Sequence, residues 1–163
     1  MKMHNHFNKL SEIDKTNIIK NSLNNIGLNV MLKRTGDVNL RIDAIGDYEN
    51  SKLIFEFEFG NDAVELPRKL TEDLAIMHSR YNHPKPSILL FSVLNKLPSV
   101  RSDYYNIIDD IYNVLNVQIY TISLDVLILF GSEKIKFKDI ILKDLILNSK
   151  KKFLKIPTVL EPK

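Results

Sequence analysis

Leu53-Ile54-Phe55-Glu56-Phe57-Glu58-Phe59-Gly60 alternates so strictly that it reads as a β-strand, because successive strand side chains point to opposite faces. Leu53, Phe55, Phe57 and Phe59 fall on one face, and Ile54, Glu56 and Glu58 on the other. The two carboxylates are then about 7 Å apart at Cα, with no base between them. Like charges so placed repel unless a cation lies among them, and a hard divalent ion prefers oxygen ligands. The plain alternative is an edge strand whose acids face solvent and discourage unwanted pairing.

Working outward, Val38 to Ile45 is predicted as the preceding strand, with Leu40, Ile42 and Ala44 on one face and Arg41, Asp43 and Ile45 on the other. Gly46 to Ser51 is read as the hairpin loop that returns the chain into the acidic strand. Antiparallel neighbours bring Asp43 alongside Glu56 and Glu58. An aspartate within so apolar a run is costly unless it has a purpose. Capping a turn, or pairing with Arg41 or Arg34, would also account for it.

Before this hairpin, Ser11 caps a helix at about 11–25, stopped by Gly27, and Leu28 to Arg34 reads as a strand turning at Thr35-Gly36-Asp37. After it the period changes. Leu66, Leu70, Leu74, Met77 and Tyr81 give a helix at about 65–81 with Pro67 in its first turn, and Arg68, Lys69, Glu72, His78 and Arg80 on its other side. Ser87 to Val93 is a continuous apolar run, the form of a strand covered on both faces. A helix at about 101–115 leads to a strand at 117–122. Asp125 to Phe130 reads as one more strand, Lys138 to Leu147 as a final helix, and Lys150 to Lys155 as part of a basic tail.

Composition bounds the function. A chain of 163 residues that is 44% hydrophobic suits one domain with an ordinary core, assigned to 11–147, between a mobile N-terminus (1–10) and a basic tail (148–163). The absence of Cys excludes disulfides, thiolate zinc sites and a cysteine nucleophile. No signal-like segment or long apolar run occurs, so the expectation is a soluble, intracellular, cytoplasmic protein without a membrane partner. A net charge of +3, with 23 bases against 20 acids, favours a polyanionic partner only weakly. His78 is read as structural or exposed, and His4 and His6 as part of the mobile terminus, without the further ligands that a metal role requires.

The order helix, three meandering strands, helix, strand, helix, strand, with Asp43 on the second strand and Glu56 on the third, resembles the PD-(D/E)XK nuclease superfamily. The resemblance covers about residues 11–122. It implies an α/β, restriction-endonuclease-like three-layer sandwich: a mixed central sheet with helices on both faces. Asp43 and Glu56 stand in the family's two acidic places, thirteen positions apart. Glu58 stands where the family usually has Lys, as in the Glu-any-Glu variant of some restriction endonucleases, and Ile42 replaces the usual Pro. The chain is also similar to archaeal Holliday-junction resolvases, in which an acid of the first helix approaches the metals; Glu12 matches that place, and equally suits a helix first turn.

The resemblance implies a metal-dependent DNA endonuclease, restriction-type or structure-specific, with RNA as an open second substrate and a homodimer to cut two strands. Asp43, Glu56 and Glu58 would hold Mg²⁺ (Mn²⁺ in its place), Glu58 would orient or deprotonate the attacking water, and Arg68 or Lys69 would supply the missing positive charge. Lys33, Arg34, Lys150, Lys151 and Lys152 are weak candidates for phosphate contacts. The alternative is a catalytically inactive module that keeps the fold for nucleic-acid or protein binding.

Overall fold

The computed structural model describes residues 7, 9–33, 41–60 and 62–147. Helix α1 (Glu12–Asn25) is followed by strands β1 (Asn29–Leu32), β2 (Ala44–Tyr48) and β3 (Ser51–Glu58). Then come helix α2 (Leu66–Tyr81), strand β4 (Ile88–Leu94), helix α3 (Tyr104–Leu115), strand β5 (Ile119–Ser123) and helix α4 (Leu124–Ser132). The five strands form one mixed sheet in the order β1-β2-β3-β4-β5. The first three are antiparallel, and β4 and β5 run parallel to β3. This is the α/β architecture and element order expected from the sequence.

The strict alternation of β3 divides the protein into two layers of core. Leu53 and Phe55 pack with Phe91, Val93, Leu23, Ile19, Leu127 and Phe130 beneath α1 and α4, with Phe57 and Phe59 against the same cluster. Ile54 instead joins Leu66, Leu70, Leu74, Leu90, Tyr104 and Ile108 beneath α2 and α3. The first layer is close-packed between backbones. A Cβ at Gly131 of α4 would lie 2.8 Å from the Ser22 Cα of α1, so only glycine permits that approach. Ser11 caps α1 as expected, its hydroxyl accepting from the Asp14 amide.

Three elements differ from the sequence reading. Strand β2 lies later than expected: Gly46, Asp47 and Tyr48 are paired residues, Tyr48 opposite Ser51, and the turn shrinks to Glu49-Asn50 with Glu49 at φ 52°. The chain bends at Ile42 and Asp43, which puts Ile42 in the layer opposite Ala44. The run expected as a strand from Asp125 is α4, capped by Ser123, because a short run apolar on every side suits a buried helix as well as a strand. Lys138 to Leu147 does not form one helix. Short 3₁₀ turns at Phe137–Asp139 and Leu142–Leu145 lead to an antiparallel bridge between Ile146 and Tyr120 at the sheet edge. Residues 34–40 of the first hairpin, including Arg34 and the turn at Thr35 to Asp37, and the tail with Lys150, Lys151 and Lys152 lie outside the described residues.

Candidate functional site

Asp43 and Glu56 meet where the β2–β3 ladder ends. The Asp43 amide donates to Glu56 Oε1 at 3.1 Å, and the Phe57 amide donates to Asp43 Oδ2 at 3.0 Å. Two side chains thus continue the hydrogen bonding that regular strand pairing would have supplied, and they orient each other. The Lys33 amide donates to the Asp43 carbonyl at 2.9 Å and ties β1 to the same point.

A third acid joins them from the helix above. Asp73 lies on the buried stripe of α2 with Leu66, Leu70, Leu74 and Met77, and both Asp73 and Glu56 are only 3% exposed. Asp73 lies close enough to Glu56 for each to act on the other's ionisation. Burial pushes the Glu56 carboxyl up to about 8, with the Asp43 and Asp73 charges adding to the rise; Lys69 opposes it. Burial likewise raises Asp73, to about 6, against the pull of the Glu56 hydrogen bond and Arg41.

Glu58 is held elsewhere. Its Oε1 accepts from the Gly60 amide at 2.5 Å, and a Cβ on residue 60 would come within 2.9 Å of that oxygen. The strand's two glutamates share a face, but only Glu56 is among the groups facing Asp43 and Asp73. Of the two bases proposed from the sequence, Lys69 acts electrostatically on Glu56, whereas Arg68 is exposed and paired with Glu65 at 2.8 Å. Glu12 is exposed in the first turn of α1, which covers the opposite face of the sheet, and it is not among the charges that act on Glu56. Lys33 is exposed just beyond β1.

The row that begins at Glu56 continues across the sheet. Glu56 pairs in register with Ser92, and Ser92 with Thr121. The Tyr104 hydroxyl of α3 bonds Ser92 Oγ at 2.5 Å and Thr121 Oγ1 at 2.8 Å, all of it buried. A polar seam therefore crosses an otherwise apolar layer, with hydroxyls at its centre and carboxyls at its end. Asp73 was missed in the sequence because it falls inside the Leu66–Met77 period. A charged residue on the apolar stripe of an amphipathic helix was the available signal.

Among the described residues, no group of three or more His, Asp or Glu side chains is placed to hold a metal ion as the side chains now stand. Mg²⁺ asks for less, commonly one or two carboxylates with water and substrate phosphate completing its shell. Asp43 and Glu56 offer hard oxygen donors of that kind. No helix among the described residues is long and apolar enough to cross a membrane.

No family model matches this sequence, and no curated protein does. Among solved structures, the restriction endonuclease FokI is similar in fold, with a TM-score of 0.53 at 11% identity. The match covers 82% of this chain and 28% of that one, so the chain spans little more than a quarter of that enzyme's solved length. At this identity the likeness is one of fold.

Proposed function

We propose that this chain is a metal-dependent endonuclease of the PD-(D/E)XK type that hydrolyses phosphodiester bonds in DNA. The observation that carries the reading is the Asp43–Glu56 pair, each bonded to the other's strand at the end of the β2–β3 hairpin, within a fold like that of a restriction endonuclease. Asp43 and Glu56 would hold Mg²⁺, which when bound supplies an activated water and neutralises charge on the phosphate. The Phe57 amide fixes the Asp43 carboxylate, and burial of Glu56 keeps bulk water from competing for it. Lys69, exposed on α2 and acting on Glu56, is the base suited to meet the charge growing on the scissile phosphate. Lys33, together with Arg34 and Lys150 to Lys152, would contact the nucleic-acid backbone without reading sequence.

A second reading is favoured by one specific observation: Glu58, in the place of the family's usual Lys, is bonded to Gly60. On that reading the chain binds nucleic acid or protein without cleaving. Supercoiled and branched DNA incubated with Mg²⁺ or Mn²⁺ separates the two. Wild type is expected to nick or cut, and Asp43→Ala and Glu56→Ala to lose cleavage by at least about a hundredfold. DNA bound but left intact under every metal condition would leave the binding module standing.

A further inference from the structure

We propose that residues 148–160 continue along the outer edge of β5 and dock their apolar side chains, Phe153 and Leu154 foremost, in a groove between α2 and α3 at the start of that strand. The endonuclease reading does not depend on it. The direction in which the described residues end is the first support. β5 is the last strand of the sheet, and among the described residues its outer edge is met only at the antiparallel bridge between Ile146 and Tyr120. In an antiparallel pair each step forward on one strand is a step back on the other, so residues after Ile146 are led past Ile119, Gln118 and Val117 in turn. Leu147 already obeys this register, since it is fully buried in the layer that holds Ile119 and Val117.

That path leads to a groove of about 490 Å³ lined mainly by Leu74, Ile88, Leu89, Leu115, Val117 and Tyr120. At its rim lies the last turn of α3, where Val114 is 79% exposed, Tyr112 49% and Leu115 47%. Apolar side chains gathered at one helix end beside an apolar groove mark a surface made to be covered. The following residues of this chain are of the right kind and within reach. With the register continued, Ser149 stands opposite Val117, and Phe153 and Leu154 follow about 13–17 Å further on. Charge agrees with this occupant. No Lys or Arg occurs from Ser102 to Glu133, a stretch that holds Asp103, Asp109, Asp110 and Asp125, whereas Lys150, Lys151, Lys152 and Lys155 flank Phe153 and Leu154. Docking there also covers a strand edge that would otherwise be open to pairing with other chains.

The absence of Cys from the chain makes cross-linking a clean test. The full chain carrying Leu115→Cys and Leu154→Cys is treated with a short bismaleimide, beside a control carrying Ile13→Cys and Leu154→Cys. Ile13 is exposed on α1, across the sheet from the groove. The Leu115 pair is expected to link within one chain at least about tenfold faster than the control, because docking raises the local concentration of the second thiol. Val114→Asp, at an exposed position, should bring that rate down to the control's with Tm unchanged. Should Leu115→Cys disturb the fold, Val114→Cys takes its place and Tyr112→Asp supplies the charge. Equal rates for the two pairs overturn the proposal. Links formed mainly between chains, at a rate rising with protein concentration, give the groove to a second copy and overturn it as well. A fast link that survives Val114→Asp comes from pairing at the strand edge alone, and overturns docking in the groove.

Discussion

The two faces of the central sheet are built on different principles. Beneath α1 and α4 the layer is mostly apolar: Phe55 stacks on Phe91 with ring centroids 4.9 Å apart, Phe91 stacks on Tyr120, and α1 and α4 touch backbone to backbone where Gly131 meets Ser22. Beneath α2 and α3 an equally buried layer is crossed by Thr121, Tyr104, Ser92, Glu56 and Asp73. Both faces exclude water. Only the second sets carboxyls in that dryness, where burial pushes the pKa values of Glu56 and Asp73 up. The first face supplies cohesion, and the second holds the candidate site at some cost to it.

Four tests would break or sharpen this contrast. The largest effect belongs to the apolar face. Phe55→Ala should lower unfolding free energy by about 3–5 kcal/mol in urea titration, because a buried, stacked ring leaves a cavity that the neighbouring rings fill poorly. A loss below about 1 kcal/mol would mean that the two faces do not differ as described.

Next comes pH. The folded protein keeps the Glu56 proton up to about pH 8, whereas an unfolded glutamate releases it near 4.5. Between those values the folded state binds more protons than the unfolded one. Stability of the metal-free protein should therefore fall as pH rises, by about 1.4 kcal/mol per unit per proton, and be fully present only below the unfolded value. Asp73 adds in the same direction over a lower window. Glu56→Gln should flatten the profile and raise Tm at pH 8; a variant as pH-dependent as wild type would locate the titration elsewhere.

A smaller effect is expected along the seam. Tyr104→Phe removes the hydroxyl shared by Ser92 and Thr121 and should cost about 1–3 kcal/mol, since both are left buried with a partner missing. Equal stability of the variant by thermal melting would show that the seam adds nothing to the fold. The smallest contrast lies on the outer side of α2. Arg68→Ala breaks an exposed pair and should shift stability by less than about 1 kcal/mol with cleavage unchanged, whereas Lys69→Ala should slow cleavage at equal stability. Equal cleavage rates for the two variants would remove Lys69 from the site.

The faces of β3 were legible because a period of two is unambiguous, and the same pattern placed Asp43 beside Glu56. The influence of Asp73 on Glu56 was not legible, because no periodicity says which residue on the next helix will lie near the strand's acids. Pattern also failed where one signal supports two structures. Gly46-Asp47-Tyr48 has the composition of a loop but is held as strand by pairing with Leu53, Lys52 and Ser51, and the run after Ser123 is too uniformly apolar to show a period. Glu58 shows a further limit: its position on the strand was read correctly, but its direction was set by an amide two residues on.

The two hydrogen bonds that join Asp43 to Glu56 and Phe57 span only 13 and 14 positions of chain. Loop-closure entropy grows with the logarithm of length, so this contact costs somewhat less of it, by about 0.7 kcal/mol, than pairing Leu90 of β4 with Ile119 of β5 does. Contacts that close so short a loop depend least on the rest of the protein being in place. The acid pair belongs to the lowest contact-order part of the sheet, a β-hairpin with a two-residue turn, and it is the portion of the candidate site best able to persist through local opening of the layers around it.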